Sequence, residues 1–303
     1  MTLPAGATTI RSAGALTIRR QLRGTVQRVL TGSDETRRRP VDQQSRDPGL
    51  FGPGSVTWQV HSDASMLIGG LRALLLQTMH PLAMAGIADH SQYRTDPFGR
   101  LQRTGRYVGT VTFGSVIEVD AAIGGVRRGH ERVTGVAPDG RAYAANDPEL
   151  LAWVHHTLVD SFLRAYQRYG TVPLDAAQAD QYVAEQAQLA TLIGASTPAT
   201  STAELRSWMI NRRPELVATN AAREACRFLV FFRGPRLMTG PYAIVSAAAV
   251  GLLPGFVRRA LWLPVVPIAG PLADHLLVRP TAAATMRALG WVMKDDQAEK
   301  GGP

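Results

Sequence analysis

Between Gln77 and Gly114 the chain sets His80, His90, Arg94, Arg100, Arg103 and Arg106 among strongly apolar residues. Burying imidazoles and guanidiniums is costly unless they bind something. In RLQRT, Arg100, Arg103 and Thr104 stand at i, i+3 and i+4, so one helical face presents two cations and a hydroxyl. Such a face can hold the carboxylates of a bound cofactor, polarise oxygen, or simply pair with acids such as Asp89 and Asp96. Further on, Ile123, Val126, His130 and Val133 share one helical face. Leu151, Val154, His155, Leu158, Phe162 and Tyr169 form another apolar stripe, from which His156 turns about 100° away. Two helices therefore each offer the core an imidazole, either as a hydrogen-bonded structural group or as a ligand. His130 and His155 are expected to be buried and His156 to have more polar surroundings.

The elements that must position these groups are read from caps and periodicity. From Gly52 onward apolar residues recur mainly at helical spacing, which predicts an all-α body. Asp63 is expected to cap a helix running to Thr78, where His80-Pro81 breaks it. Asp96-Pro97 restarts a helix with an N-cap and an N1 proline, and Asp147-Pro148 opens a long one to about Tyr169. Asp120 is expected to open the intervening helix and Gly135 to close it, before a turn at Pro138-Asp139-Gly140. Residues 242 to 257 form an apolar run broken by Pro254, short for a membrane span and suited to a buried helical hairpin. Residues 261 to 271 are apolar and proline-punctuated, as in a loop over the core or at a substrate mouth.

The chain has 303 residues and a net charge of +9, of which residues 1–48 supply five, with nine arginines against four acids. That segment reads as a basic extension, disordered or peripheral, followed by a helical domain at 49–295 and a tail at 296–303. Within it Ile18, Leu22, Val26 and Val29 form a stripe among Arg19, Arg20, Arg23 and Arg28, a pattern that can lie on an anionic membrane. No apolar segment of signal-peptide length follows Arg19-Arg20, so a cytoplasmic, membrane-associated location is expected. All cations except Lys294 and Lys300 are arginines, a bias that is no sign of nucleic-acid binding by itself. Cys226 is the only cysteine, which excludes an intramolecular disulfide and reads as a small packing residue rather than a thiolate ligand.

The order of the segments HPLAMAGIADHS, RLQRT, GHERV and WVHHTLVDS resembles the catalytic domain shared by the MpaB-like fungal oxygenases and the rubber oxygenases, or latex-clearing proteins. That resemblance implies an all-α fold with a globin-like core holding haem b, and an O2-dependent oxygenase acting on an apolar, isoprenoid or lipid-like substrate by C=C cleavage. Arg100, Arg103 and Thr104 match the family's distal Arg-x-x-Lys-Thr motif, and His130 matches its proximal iron ligand, with His155 and His80 as further cofactor-binding candidates. The chain departs from the pattern at Arg103: a guanidinium that stays protonated has no lone pair for iron, unlike the family lysine. Two other readings stand beside it, a non-haem metal centre on His80, His130 and His155, and a non-enzymatic membrane-surface protein. Against a di-iron or zincin-type site, the chain contains neither a Glu-x-x-His pair nor a His-Glu-x-x-His motif.

Overall fold

The computed structural model describes residues 47–231 and 236–263, with single positions at 280, 281 and 284. The basic extension before residue 47 and most of the 261–271 stretch lie outside the described residues, as does the C-terminal tail. The body is helical, as its periodicity predicts. In chain order the elements are α1 (Val56–Ser62), α2 (Met66–Gln77), α3 (Pro81–His90), α4 (Pro97–Phe113) and α5 (Val116–Glu131). A two-stranded hairpin of β1 (Thr134–Val136) and β2 (Ala142–Ala144) follows, then α6 (Pro148–Tyr169), α7 (Ala176–Ile193) and α8 (Thr202–Asn211). The last described helices are α9 (Asn220–Val230), α10 (Arg236–Gly251) and α11 (Gly255–Ala260).

Two of the expected starts, at Asp96 and Asp147, are observed for the expected reason, and the expected break at His80-Pro81 is also the start of α3. His80 N-caps α3 ahead of Pro81, Asp96 N-caps α4 by accepting from Gly99 N, and Asp147 N-caps α6 by accepting from the Glu149 and Leu150 amides. Three expectations are corrected. Asp120 does not open a helix: α5 begins at Ser115, where a reciprocal capping box with Glu118 satisfies two otherwise orphaned amides. Asp63 is not the cap of α2 but ends α1, and its carboxylate bridges the Ser65 amide to Thr171 at the far end of α6. The helix predicted to reach Gly135 ends at Glu131, and the Pro138-Asp139-Gly140 turn instead closes a hairpin with Val136 opposite Ala142. Gly140 takes φ +85° there, a conformation that disfavours any side chain. The hairpin is held to α3 by Tyr143, which donates to Asp89 at 2.6 Å.

At the centre, α2 packs against α6 on one side and against α9 and α10 on the other. Ile68, Leu71, Leu75, Leu76 and Met79 meet Ala165, Tyr169, Ala222, Cys226, Ala248 and Val257 in the main core cluster. At Gly69 the α2 and α6 backbones come so close that a Cβ would stand 2.7 Å from the Phe162 ring and 3.1 Å from Ser161 O. One turn along, Arg72 is 2 % exposed; its Nη1 lies 2.8 Å from Asp160 and donates to Ser161 Oγ at 2.6 Å, and its Nε donates to Leu252 O. Arg164 closes on the other Asp160 oxygen at 2.7 Å. α4 and α5 form an antiparallel pair around Gly114-Ser115: Tyr107 and Val111 share a cluster with Val119 and Ile123. That pairing carries the start of α4, with Arg100, and the end of α5, with His130, to the same end of the hairpin.

Removing one partner of a buried ion pair strands the other charge, at a cost of about 3–5 kcal/mol. Asp160→Asn is expected to lose stability on that scale, read as a fall in the urea midpoint. Arg164→Gln, at a half-exposed position, should cost about 0.5 kcal/mol or less. Equal effects from the two substitutions would show that the Arg72 charge is not the sensitive one.

Candidate cofactor and substrate site

A narrow cleft with about 40 Å³ of room inside lies among α2, α3, α4 and α9. Its walls are Leu74, Gln77 and Thr78 from the end of α2, Ile87 from α3, Arg100, Leu101 and Thr104 from α4, and Ala225, Phe228 and Leu229 from α9, with Tyr93 between α3 and α4. That room is well below the about 300–1,000 Å³ typical of small-molecule sites, so a ligand of more than a few atoms needs the walls to part; the lining is mostly apolar with a few convergent polar groups.

The predicted distal face divides. Arg100 and Thr104 line the cleft, whereas the Arg103 side chain is 59 % exposed and pairs with Asp96 at 3.4 Å. Arg100 is partly buried, and its guanidinium donates to the neutral Ser91 Oγ at 2.8 Å. Among the described residues it has no carboxylate partner. Burial first, and the like charge of Arg103 second, lower its proton affinity, yet a guanidinium remains charged. Thr104 donates to Arg100 O at 3.1 Å, which leaves its lone pairs as acceptors. Tyr93 donates to Glu224 at 3.0 Å, and burial, reinforced by that carboxylate, pushes its phenol up to about 12. Arg94 grips the same carboxylate through Nε and Nη2, which ties the wall helix α9 to the loop before α4.

The histidines separate by what their nitrogens do. His155 is 5 % exposed as expected, and burial drives its pKa down to about 3, so it is neutral. Neither of its nitrogens has a hydrogen-bond partner among the described residues; its recorded neighbour is the edge of the His156 ring. His130 is only partly buried, contrary to expectation, because it lies in the last turn of α5. Its Nδ1 is nevertheless enclosed and has no hydrogen-bond partner among the described residues; burial lowers its pKa, and hydrogen bonding with the Asn146 side chain acts in the opposite direction. His156 corrects the expectation of polar surroundings: it is 1 % exposed and stacks on Trp208 at 4.2 Å. α6 is covered on that flank too by α8, so leaving the apolar stripe does not mean reaching solvent. Its Nδ1 donates to Ala152 O and its Nε2 accepts from Ala199 N, so both nitrogens are spent on structure. His80 is engaged likewise, with Nδ1 accepting from Ala83 N and Nε2 3.7 Å from Glu215.

His61 escaped the sequence reading and is structural. Thr112 gives its hydroxyl proton to Val108 O, so His61 Nδ1 donates to Thr112 and Nε2 accepts from the Tyr182 hydroxyl. Among the described residues no three His, Cys, Asp or Glu side chains converge as a metal site, so His80, His130 and His155 do not form the non-haem centre. Cys226 is buried and its thiol is pushed up to about 12 by desolvation, as a packing residue would be. No described helix is long and apolar enough to cross a membrane.

His61 and His155 bind protons less readily folded than at their unperturbed value of 6.5, both falling to about 3. The unfolded chain therefore takes up more protons below pH 6.5, and the stability these residues contribute is intact above that pH and lost progressively toward pH 3. Each should reduce unfolding free energy by about 1.4 kcal/mol per pH unit in that window. Urea midpoints of the cofactor-free protein at pH 7 and pH 5 test this; a flat profile would contradict it.

A family description for ER-bound oxygenase mpaB/B′ and rubber oxygenase, catalytic domain, matches residues 58–291. No curated protein and no solved structure matches the chain. The match begins within α1 and takes in the cleft, both candidate imidazoles and the wall helix α9, and on that extent the chain belongs to the mpaB and rubber oxygenase catalytic-domain family, a family of oxygenases.

Proposed function

We propose that the protein is a haem b-dependent oxygenase that cleaves a C=C bond of an apolar, isoprenoid or lipid-like substrate with O2. The observation that carries this reading is the Arg100 guanidinium, set without a carboxylate partner among the described residues in the wall of an apolar cleft, within a chain of oxygenase family. A cation so placed calls for an anionic or electron-rich partner. Two imidazoles that burial disposes to the neutral form would offer nitrogens to haem iron, His130 through Nδ1 and His155 through either ring nitrogen, from outside the lining of the cleft. We assign His130 as the iron ligand and His155 as the alternative, with His80 left to its capping role.

Haem, when bound, supplies an iron that binds and activates O2. The chain's own residues do the rest. The apolar walls formed by Leu74, Leu101, Phe228 and Leu229 take up the alkene and exclude water. Arg100 brings a fixed positive charge to the cleft wall, where negative charge developing on oxygen is stabilised most in the absence of water. Thr104 accepts a hydrogen bond beside it. Arg103, outside the cleft, sets the field from one turn away and braces the Asp96 cap of α4. The overall change is balanced without an outside reductant: one C=C and one O2 become two C=O groups.

The purified protein is expected to show a Soret band that His130→Ala loses and His156→Ala keeps. Equal haem content in the two variants would overturn the His130 assignment, and His155→Ala then decides whether the alternative holds. Arg100→Gln should retain haem but lose about a hundredfold or more in alkene turnover, the usual cost of one preorganised donor. Arg103→Lys is the companion: a change to a six-coordinate spectrum would place this side chain at the iron after all.

A further inference from the structure

Helix α9 has two faces with different neighbours. Ala225, Phe228 and Leu229 look into the cleft. On the outer side Arg223 and Arg227 follow one another at i and i+4, and Phe231, the residue that ends the helix, continues the stripe with 64 % of its surface exposed. Beside its beginning stands Trp262, just past α11 and 70 % exposed. The Arg223 guanidinium lies 4.3 Å from the Trp262 ring and donates to Ala260 O, which docks α9 on α11. Trp262 takes φ +54°, a left-handed conformation that a bulky residue rarely adopts, and it does so with its indole in the open. Arg259 is exposed one turn earlier, and Arg213 lies over Phe256 of the same short helix. Glu224 carries the opposite charge but is already taken by Arg94 and Tyr93, and Glu215 by Arg212.

Single exposed apolar residues are ordinary on a soluble surface. Ile117 is such a case, 80 % exposed with Glu118 and Asp120 beside it. The α9–α11 face differs because two large aromatics stand outward among arginines. Aromatic rings that enter a headgroup layer, with guanidiniums at phosphate level, form the pattern of interfacial binding. We propose that this face docks on an anionic lipid surface through Trp262, Phe231, Arg223, Arg227 and Arg259. The docking itself needs no haem. Its use rests on the oxygenase reading: α9 separates the docked face from the cleft by the thickness of one helix, so an apolar substrate dissolved in the bilayer has a short route in.

The full chain is mixed with vesicles of phosphatidylcholine, with and without phosphatidylglycerol, whose acyl chains carry bromine. Sedimentation reads binding, and tryptophan quenching reads which indole enters the bilayer. The expected result is pelleting with anionic vesicles that salt weakens, with quenching that Trp262→Phe abolishes. Arg227→Gln and Arg259→Gln, both at exposed positions, should each weaken pelleting about fivefold. Residues 1–46 contain no tryptophan, so pelleting without quenching would mean that the basic extension binds alone and would overturn the proposal. Quenching that survives Trp262→Phe, or no pelleting at all, would overturn it as well. A haem-free but vesicle-bound protein would count against the oxygenase reading and leave the docking intact.

Discussion

The buried contact between Arg72 and Asp160 organises the molecule around it. α2 and α6 could slide along each other if apolar packing alone joined them, because dispersion and burial are indifferent to small shifts in register. The ion pair removes that freedom. Its guanidinium spends one arm on Asp160 and Ser161 of α6 and another on Leu252 O, at the end of α10, so three elements share one fixed point. The absence of a side chain at Gly69 allows the helices the approach that this geometry demands. Both the end of α2, which lines the cleft, and His155 on α6 inherit their positions from this clamp.

Polar groups in the interior are used in two distinct ways. Both ring nitrogens of His61 and both of His156 are matched, and the result is a rigid, neutral scaffold. Around Arg100, His130 and His155 the accounting is left open, with a cation lacking a carboxylate and nitrogens lacking hydrogen-bond partners among the described residues. Proteins rarely leave such groups unmatched in places of no consequence. The open set is where the proposed site lies, and the saturated set belongs to the frame.

Much of this was legible in the chain itself, for reasons that can be traced residue by residue. Helix starts marked by Asp-Pro, and the break at His80-Pro81, were legible because the cap and the proline act within a few residues. The start of α5 was misassigned because Asp120 and Ser115 are both plausible caps, and only the Glu118 side chain folding back distinguishes them. The burial of His155 followed from periodicity, whereas that of His156 did not, since it depends on α8 arriving from some fifty residues away with Trp208. The pairing of Tyr93 and Arg94 with Glu224 spans about 130 positions and has no local signature. The splitting of Arg100 from Arg103 is similar: their spacing puts them on one face, but the width of the cleft decides that only the first reaches it.

The state of Cys226 has a practical side. Its thiol is enclosed beneath α9 and held protonated, and no second cysteine exists in the chain. Since alkylating reagents attack the thiolate, the native protein should be nearly silent toward maleimides. A cysteine engineered on the surface would then be the single reactive handle, without any background to remove. Spin labels or fluorophores could be installed in pairs across the cleft walls, turning the separation of α4 and α9 into a quantity that can be followed in solution.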